Sequence, residues 1–273
     1  MKYAVCNELY RGWEAERVFE HAKSLGYHGV EIAPFTLATD CRQIPAVRRK
    51  ELRRAAEAAG VEIVGLHWLL AGREDLSVVS PDRAVMRATS EYFGALVDLC
   101  ADLGGRIMVF GSPKQRSFSP PQTFLDAWRR AADFFRAAAE TALRAGVTIA
   151  FEPLSAGETD FINTMAEGSL LVREVASPAF RLHLDVKALA AEGRPPAETI
   201  LMEGGANLVH FHANDPNLLG PGMGRMDFVP IAEALRRIGY SGFVSVEVFD
   251  FSAGPEATAE ASISTLKKCF EGG

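Results

Sequence analysis

Eight short apolar or β-branched runs are spaced along this chain, and longer segments with helical periodicity separate them. The runs are KYAV at 2–5, GVEIA at 29–33, VEIVGLH at 61–67, RIMVF at 106–110, VTIAFE at 147–152, FRLHLD at 180–185, NLVHFH at 207–212 and FVSVEV at 243–248. Between them, EAERVFEHAKSLG, VRRKELRRAAEAAG, FLDAWRRAADFFRAAAETALRAG and FVPIAEALRRIG carry apolar side chains at helical spacing, and each closes on a glycine suited to a helix C-cap. Such alternation calls for parallel strands joined by right-handed crossovers, a rule that an open doubly wound sheet satisfies as well as a closed barrel. Eight units within 273 residues match the length of an α/β (β/α)8 TIM barrel. The helix-glycine-strand phrase repeated in SLGYHGVEI, AAGVEIVGL, RAGVTIAFE and RIGYSGFVSVEV favours the barrel. No Pro/Gly/Ser-rich linker divides the sequence, so residues 1–273 are expected to form one barrel domain.

Composition sets aside several classes of function. Lys plus Arg total 29 against 35 Asp plus Glu, and the net charge of −6 argues against a protein that coats nucleic acid, whose affinity comes from neutralising phosphates. No apolar run reaches bilayer-spanning or signal-peptide length. The expectation is a cytoplasmic protein without membrane or nucleic-acid partners. Cys6, Cys41, Cys100 and Cys269 lie far apart without a C-x-x-C pair and read as free, mostly buried thiols of a reducing compartment. The Ala-rich RAAAETALRAG segment suits close packing against a second copy, which keeps a homo-oligomer open.

Barrel enzymes carry their chemistry where strands finish at the C-terminal face. Four consecutive late strands end in metal-capable side chains: Glu152 in IAFEPL, Asp185 in LHLDVK, His212 in HFHAND and Glu247 in VSVEVF. If all four face the interior, three carboxylates and one imidazole form an oxygen-rich site for one divalent cation, Mn²⁺, Mg²⁺ or Co²⁺, with Zn²⁺ also admissible. Without a cation, the clustered carboxylates would repel and at least one would take up a proton. His183 and His210 sit two residues before Asp185 and His212, on the same side of their strands, placed to orient those ligands. His67 ends the third strand and is a candidate for contacting a substrate oxygen.

The pattern resembles the xylose-isomerase-like barrel superfamily and, within it, the sugar-phosphate isomerase/epimerase family that includes the ketose 3-epimerases. The resemblance is carried by GYHGVEI at 26–32, AFEP at 150–153, HLD at 183–185, HFHAND at 210–215, the stretch Gly222 to Phe228 and GYSGFVSVEV at 239–248. It implies one divalent metal held by Glu152, Asp185, His212 and Glu247, with Glu152 and Glu247 also exchanging the substrate proton. A proton beside a carbonyl is too weak an acid for a free carboxylate, but a metal that stabilises the enediolate lowers the barrier. Bases on opposite faces then invert the carbon, whereas return to the neighbouring carbon gives isomerisation.

Substrate contacts follow the family less closely. Glu158 falls where the epimerases bind substrate, but the position of their histidine after the metal aspartate is Ala188 here. Lys187 offers a cation beside it, and Arg225, in the Gly220/Gly222/Gly224 loop, offers another. The substrate expected is a sugar or polyol-derived hydroxy-carbonyl compound. An inosose-type dehydratase or lyase uses the same chemistry and stays open as an alternative. An abasic-site endonuclease on this barrel needs more histidines than the fourth strand end, Val109-Phe110-Gly111, and the loop after His212 supply. A binding barrel without catalysis ranks last.

Overall fold

In a computed structural model, which describes residues 1–271, eight parallel strands close into a barrel in sequence order. They are β1 (Lys2–Cys6), β2 (Gly29–Ile32), β3 (Glu62–Leu66), β4 (Ile107–Phe110), β5 (Thr148–Phe151), β6 (Phe180–Asp185), β7 (Leu208–Ala213) and β8 (Phe243–Val246), with β8 pairing back onto β1. Every strand lies within one or two residues of a run read from the sequence, and the closed order excludes the open sheet. The helices are α1 (Ala15–Leu25), α2 (Ala46–Ala59), α3 (Arg83–Asp102), α4 (Phe124–Ala145), α5 (Met165–Val175), α6 (Val186–Ala191), α7 (Pro196–Thr199), α8 (Phe228–Arg237) and α9 (Pro255–Glu271).

Local chemistry sets these boundaries. Gly26 adopts φ 91° after α1, a left-handed cap, and its amide bonds to the Ala22 and Lys23 carbonyls. Thr123 and Thr164 open α4 and α5 with reciprocal capping boxes to Asp126 and Glu167. The crossover from β6 to β7 is not one long helix. Gly193 and the Pro195-Pro196 pair interrupt it, leaving α6, the four-residue α7 and a π-helical turn at Ile200–Gly204.

Alternation along the strands separates two interiors. Val5, Val30, Phe151, Leu182, Phe211 and Val244 point outward into the annulus beneath the helices and join its apolar core. Around β4 to β6 that annulus is aromatic: the Phe135 ring of α4 lies 4.9 Å from Phe110 and 4.8 Å from Phe180. The opposite parity, Cys6, Glu31, His183, His210, His212 and Ser245, faces the barrel axis. Contacts between non-neighbouring strands demonstrate this, since Glu31 of β2 bonds His210 and His212 of β7 across the interior. No described helix is long and apolar enough to cross a membrane.

Candidate active site

Strand register brings the late-strand side chains together. Asp185 pairs with His212, and His212 with Ser245, two residues before Glu247. Donor atoms of Asp185, His212 and Glu247 consequently lie within 4.8 Å of one another, all buried, a grouping able to hold a metal ion. Glu152 lies outside that trio but shares a cavity of about 350 Å³ with Glu247. The end of β4 makes room for it: a Cβ on Gly111 would stand 2.5 Å from Glu152 Oε2. The fourth strand thus contributes space beside the Glu152 carboxylate at the end of β5.

Each group is held by identifiable partners. Asp185 Oδ1 accepts the Ala188 amide at 2.9 Å, capping α6, while Oδ2 accepts from the Asn214 side chain. Asn214 is fixed in turn by the Lys187 amide at 2.8 Å. The His212 ring bridges two carboxylates, with Nδ1 3.0 Å from Glu247 Oε2 and Nε2 3.2 Å from Glu31 Oε2. The other Glu247 oxygen accepts the Trp68 indole N–H at 2.6 Å. Beneath Glu152, the wholly buried Arg116 donates to its backbone carbonyl at 2.5 Å.

This packing drives the two glutamates apart in acidity. Burial, then the charges of Glu247 and Asp185, push the Glu152 carboxyl well above the usual carboxylate range. Burial pushes Glu247 upward too, but His212, His67 and the Trp68 N–H outweigh it and leave Glu247 below its ordinary value. Burial, followed by Glu247, raises Asp185 to about 6. Burial disfavours a charged His212, yet Glu31 and Glu247 raise it well above the normal imidazole value.

The remaining candidates occupy distinct places. His210 Nε2 lies 2.6 Å from Glu31 Oε1, so His210 and His212 share one carboxylate. His183 packs its ring 4.2 Å from that of His212 and makes no side-chain hydrogen bond; burial, then His212 and His210, keep it neutral. His67 is wholly buried and bonds Glu8 at 2.6 Å; it does not line the cavity that holds Glu152, but donor atoms of Glu8, His67 and Glu247 lie within 4.8 Å of one another. Glu158 lines that cavity, with Lys187 Nζ 2.5 Å from Oε1 and the Ser155 hydroxyl donating to Oε2 at 2.7 Å. Lys187 also stands 4.4 Å from the Phe249 ring centre.

Arg225 lies apart from these. It lines a separate hollow with Asp215 and Asp227, none of whose residues borders the Glu152 cavity. Its loop is anchored: a Cβ on Gly224 would stand 2.0 Å from Asp215 Oδ1, and Asp215 Oδ2 accepts the Met226 amide at 3.0 Å.

Sequence reasoning missed Glu31, Glu8, Trp68, Asn214 and Arg116. A signal existed for Glu31, since an acid in the middle of the otherwise apolar run GVEIA is costly unless paired. No such local mark exists for Trp68, whose indole is turned toward Glu247 from a left-handed backbone at φ 51°.

Comparison with known proteins agrees with this architecture. Residues 19–269 match the family described as xylose isomerase-like TIM barrel. An L-ribulose 3-epimerase from Mesorhizobium japonicum is 31% identical over 181 residues, 66% of this chain and 60% of that protein's length. A 3-dehydro-D-guloside 4-epimerase from Escherichia coli is 23% identical over 269 residues, covering 98% of this chain and 100% of the relative. The crystal structure of a D-psicose 3-epimerase in the presence of D-fructose superposes with a TM-score of 0.87 at 21% identity over 99% of both chains, which shows a common fold. With the closed barrel, the clustered acids at its strand ends and a family match spanning most of its length, the chain belongs to the xylose isomerase-like TIM barrel family.

Proposed function

We propose that the protein is a divalent-metal-dependent epimerase or isomerase of a hydroxy-ketone sugar, working by proton transfer at the carbon beside the carbonyl. The observation that carries this reading is the placement of Glu152 and Glu247 on one small cavity in environments that separate their acidities. Two titratable groups driven apart in this way form an acid and base pair.

The donor set fits a divalent cation. Asp185, Glu247 and His212 converge, Glu152 stands on the cavity it shares with Glu247, and without a compensating charge Glu152 and Asp185 are pushed toward their protonated forms. Glu152, Asp185, His212 and Glu247 would hold the ion, with His212 Nε2 kept on Glu31 and Nδ1 turned toward the site. Oxygen-rich sites with one nitrogen suit Mn²⁺, Mg²⁺ or Co²⁺, with Zn²⁺ also compatible. When bound, the cation supplies positive charge against the oxyanion character that grows as the C–H bond breaks.

The protein's own groups do the rest. Glu247, held ionised by His212 and Trp68, accepts the proton, and Glu152 returns one from the other face, inverting the carbon; the reverse reaction exchanges their roles. Glu158, steadied by Lys187 and Ser155, presents a carboxylate to substrate hydroxyls at the cavity wall. Trp68, flanked by Phe35 at 5.7 Å and Phe249 at 6.1 Å, walls the site from solvent. The named relatives act on a free ketose and on a ring-oxidised glycoside, which bracket the substrate class.

Deuterium incorporation from D2O into hydroxy-ketones, with and without chelation, tests the reading. Exchange at the carbon beside the carbonyl, lost on chelation and restored by one equivalent of metal, is the expected result. Exchange at an undiminished rate in metal-free protein would remove the proposed mechanism.

A further inference from the structure

A second cavity of about 720 Å³, roughly twice the catalytic one, opens on the same face of the barrel, walled largely by the loops after β1 and β2. Two residues tie the cavities together. Trp68 forms part of both walls. Glu8 lines the larger one, and its carboxylate stands within 4.8 Å of a Glu247 oxygen.

The chemistry of the larger cavity is that of a carbohydrate site. Its wall carries Phe35, 40% exposed, and Trp68, whose ring lies 5.7 Å from that of Phe35, together with the exposed Gln43 and the half-buried Arg48. Aromatic faces accept the C–H face of a sugar, while charged and amide groups bond its hydroxyls. At the border with the catalytic cavity, Glu8 Oε2 is taken by His67, but the buried Oε1 has no hydrogen-bond partner among the described residues. A buried carboxylate oxygen calls for a donor, and a ligand hydroxyl supplies one. A single sugar ring held at the 350 Å³ cavity would leave this wall unoccupied.

We propose that the larger cavity is a second sugar subsite and that the substrate is a ring-oxidised disaccharide, its keto ring at Glu152 and Glu247 and its O-linked sugar against Phe35 and Trp68. This rests on the epimerase reading above. The glycosidic bond locks the anomeric carbon, so the ketone sits on another ring carbon and oxidation of a ring hydroxyl must supply the substrate.

The test compares kcat/KM for deuterium incorporation from D2O at saturating Mn²⁺ for D-fructose, methyl 3-keto-glucoside and the 3-keto derivatives of cellobiose and trehalose. At least one keto-disaccharide is expected to exceed the methyl glycoside about tenfold. Phe35→Ala, and Gln43→Trp, which fills the cavity from an exposed position, are expected to lower the disaccharide value about tenfold more than the methyl glycoside value. Equal values for the methyl glycoside and both disaccharides, or equal losses in both variants, would overturn the subsite. If D-fructose exchanges while no keto-glycoside does, the subsite falls and the epimerase reading stands. If nothing exchanges, both fall.

Discussion

The two halves of the barrel's C-terminal face divide their labour. The late strands, β5 to β8, carry Glu152, Asp185, His212 and Glu247 at successive ends, with Glu152 and Glu247 on the wall of one cavity. The early strands and their loops supply Glu8, Glu31, His67 and Trp68, which turn mostly toward other protein groups: Glu31 to His210 and His212, Trp68 to Glu247, and Glu8 to His67. One half therefore displays reactive groups and the other fixes their orientation and charge. Such supporting contacts matter because a ligand or base that rotates freely holds its geometry for only part of the time.

The largest effects should fall in the late half. Glu152→Gln and Glu247→Gln remove a proton acceptor with little change in volume, and each is expected to lose at least ~100-fold in turnover. Metal occupancy must be verified in each variant, because both residues are also proposed ligands. Full turnover in either metal-loaded variant would dissolve the distinction between the halves.

The early half should act through the metal. Glu31→Gln removes the anionic partner shared by His210 and His212, and a loss of about 10–100-fold in metal affinity is expected, read by calorimetry or Co²⁺ titration. An unchanged affinity would reduce Glu31 to a packing residue.

A third measurement follows from the acidities. In the metal-free site His212 holds a proton that a cation must displace, because its value is raised well above normal. Asp185, raised to about 6, adds one more proton as pH falls below that value. Metal affinity should weaken as pH drops, and the slope of its logarithm should steepen by about one unit through pH 6. Asp185→Asn should abolish the extra steepening. The smallest effect is expected for Trp68→Phe, which removes one donor to Glu247 and leaves its His212 partner in place. Because that N–H helps to keep Glu247 ionised, its loss should raise the Glu247 value and move the acidic limb of kcat/KM to higher pH. An unshifted limb would show that the indole serves only as a wall.

The sequence carried the eight strands, the four late-strand side chains and the partial mismatch with ketose epimerases at Ala188. These are local properties. Period-two alternation tells which residues share a face, and a glycine after a helical segment marks where the next strand begins. Strand order then orders the strand ends around the rim, so Glu152, Asp185, His212 and Glu247 were legible from spacing alone.

Which residue meets which across the barrel was decided elsewhere. Glu31 and His210 are 179 residues apart, as are Trp68 and Glu247, and neither pair belongs to hydrogen-bonded neighbouring strands. Their meeting depends on closure, on the irregular registers between β2 and β3 and between β6 and β7, and on the left-handed backbone of Trp68. Those features set how far each strand slides past the next. The same closure drew His67 inward onto Glu8 and left Arg225 in a hollow of its own, because a side chain's partner across a barrel follows from register and tilt, which no local pattern encodes.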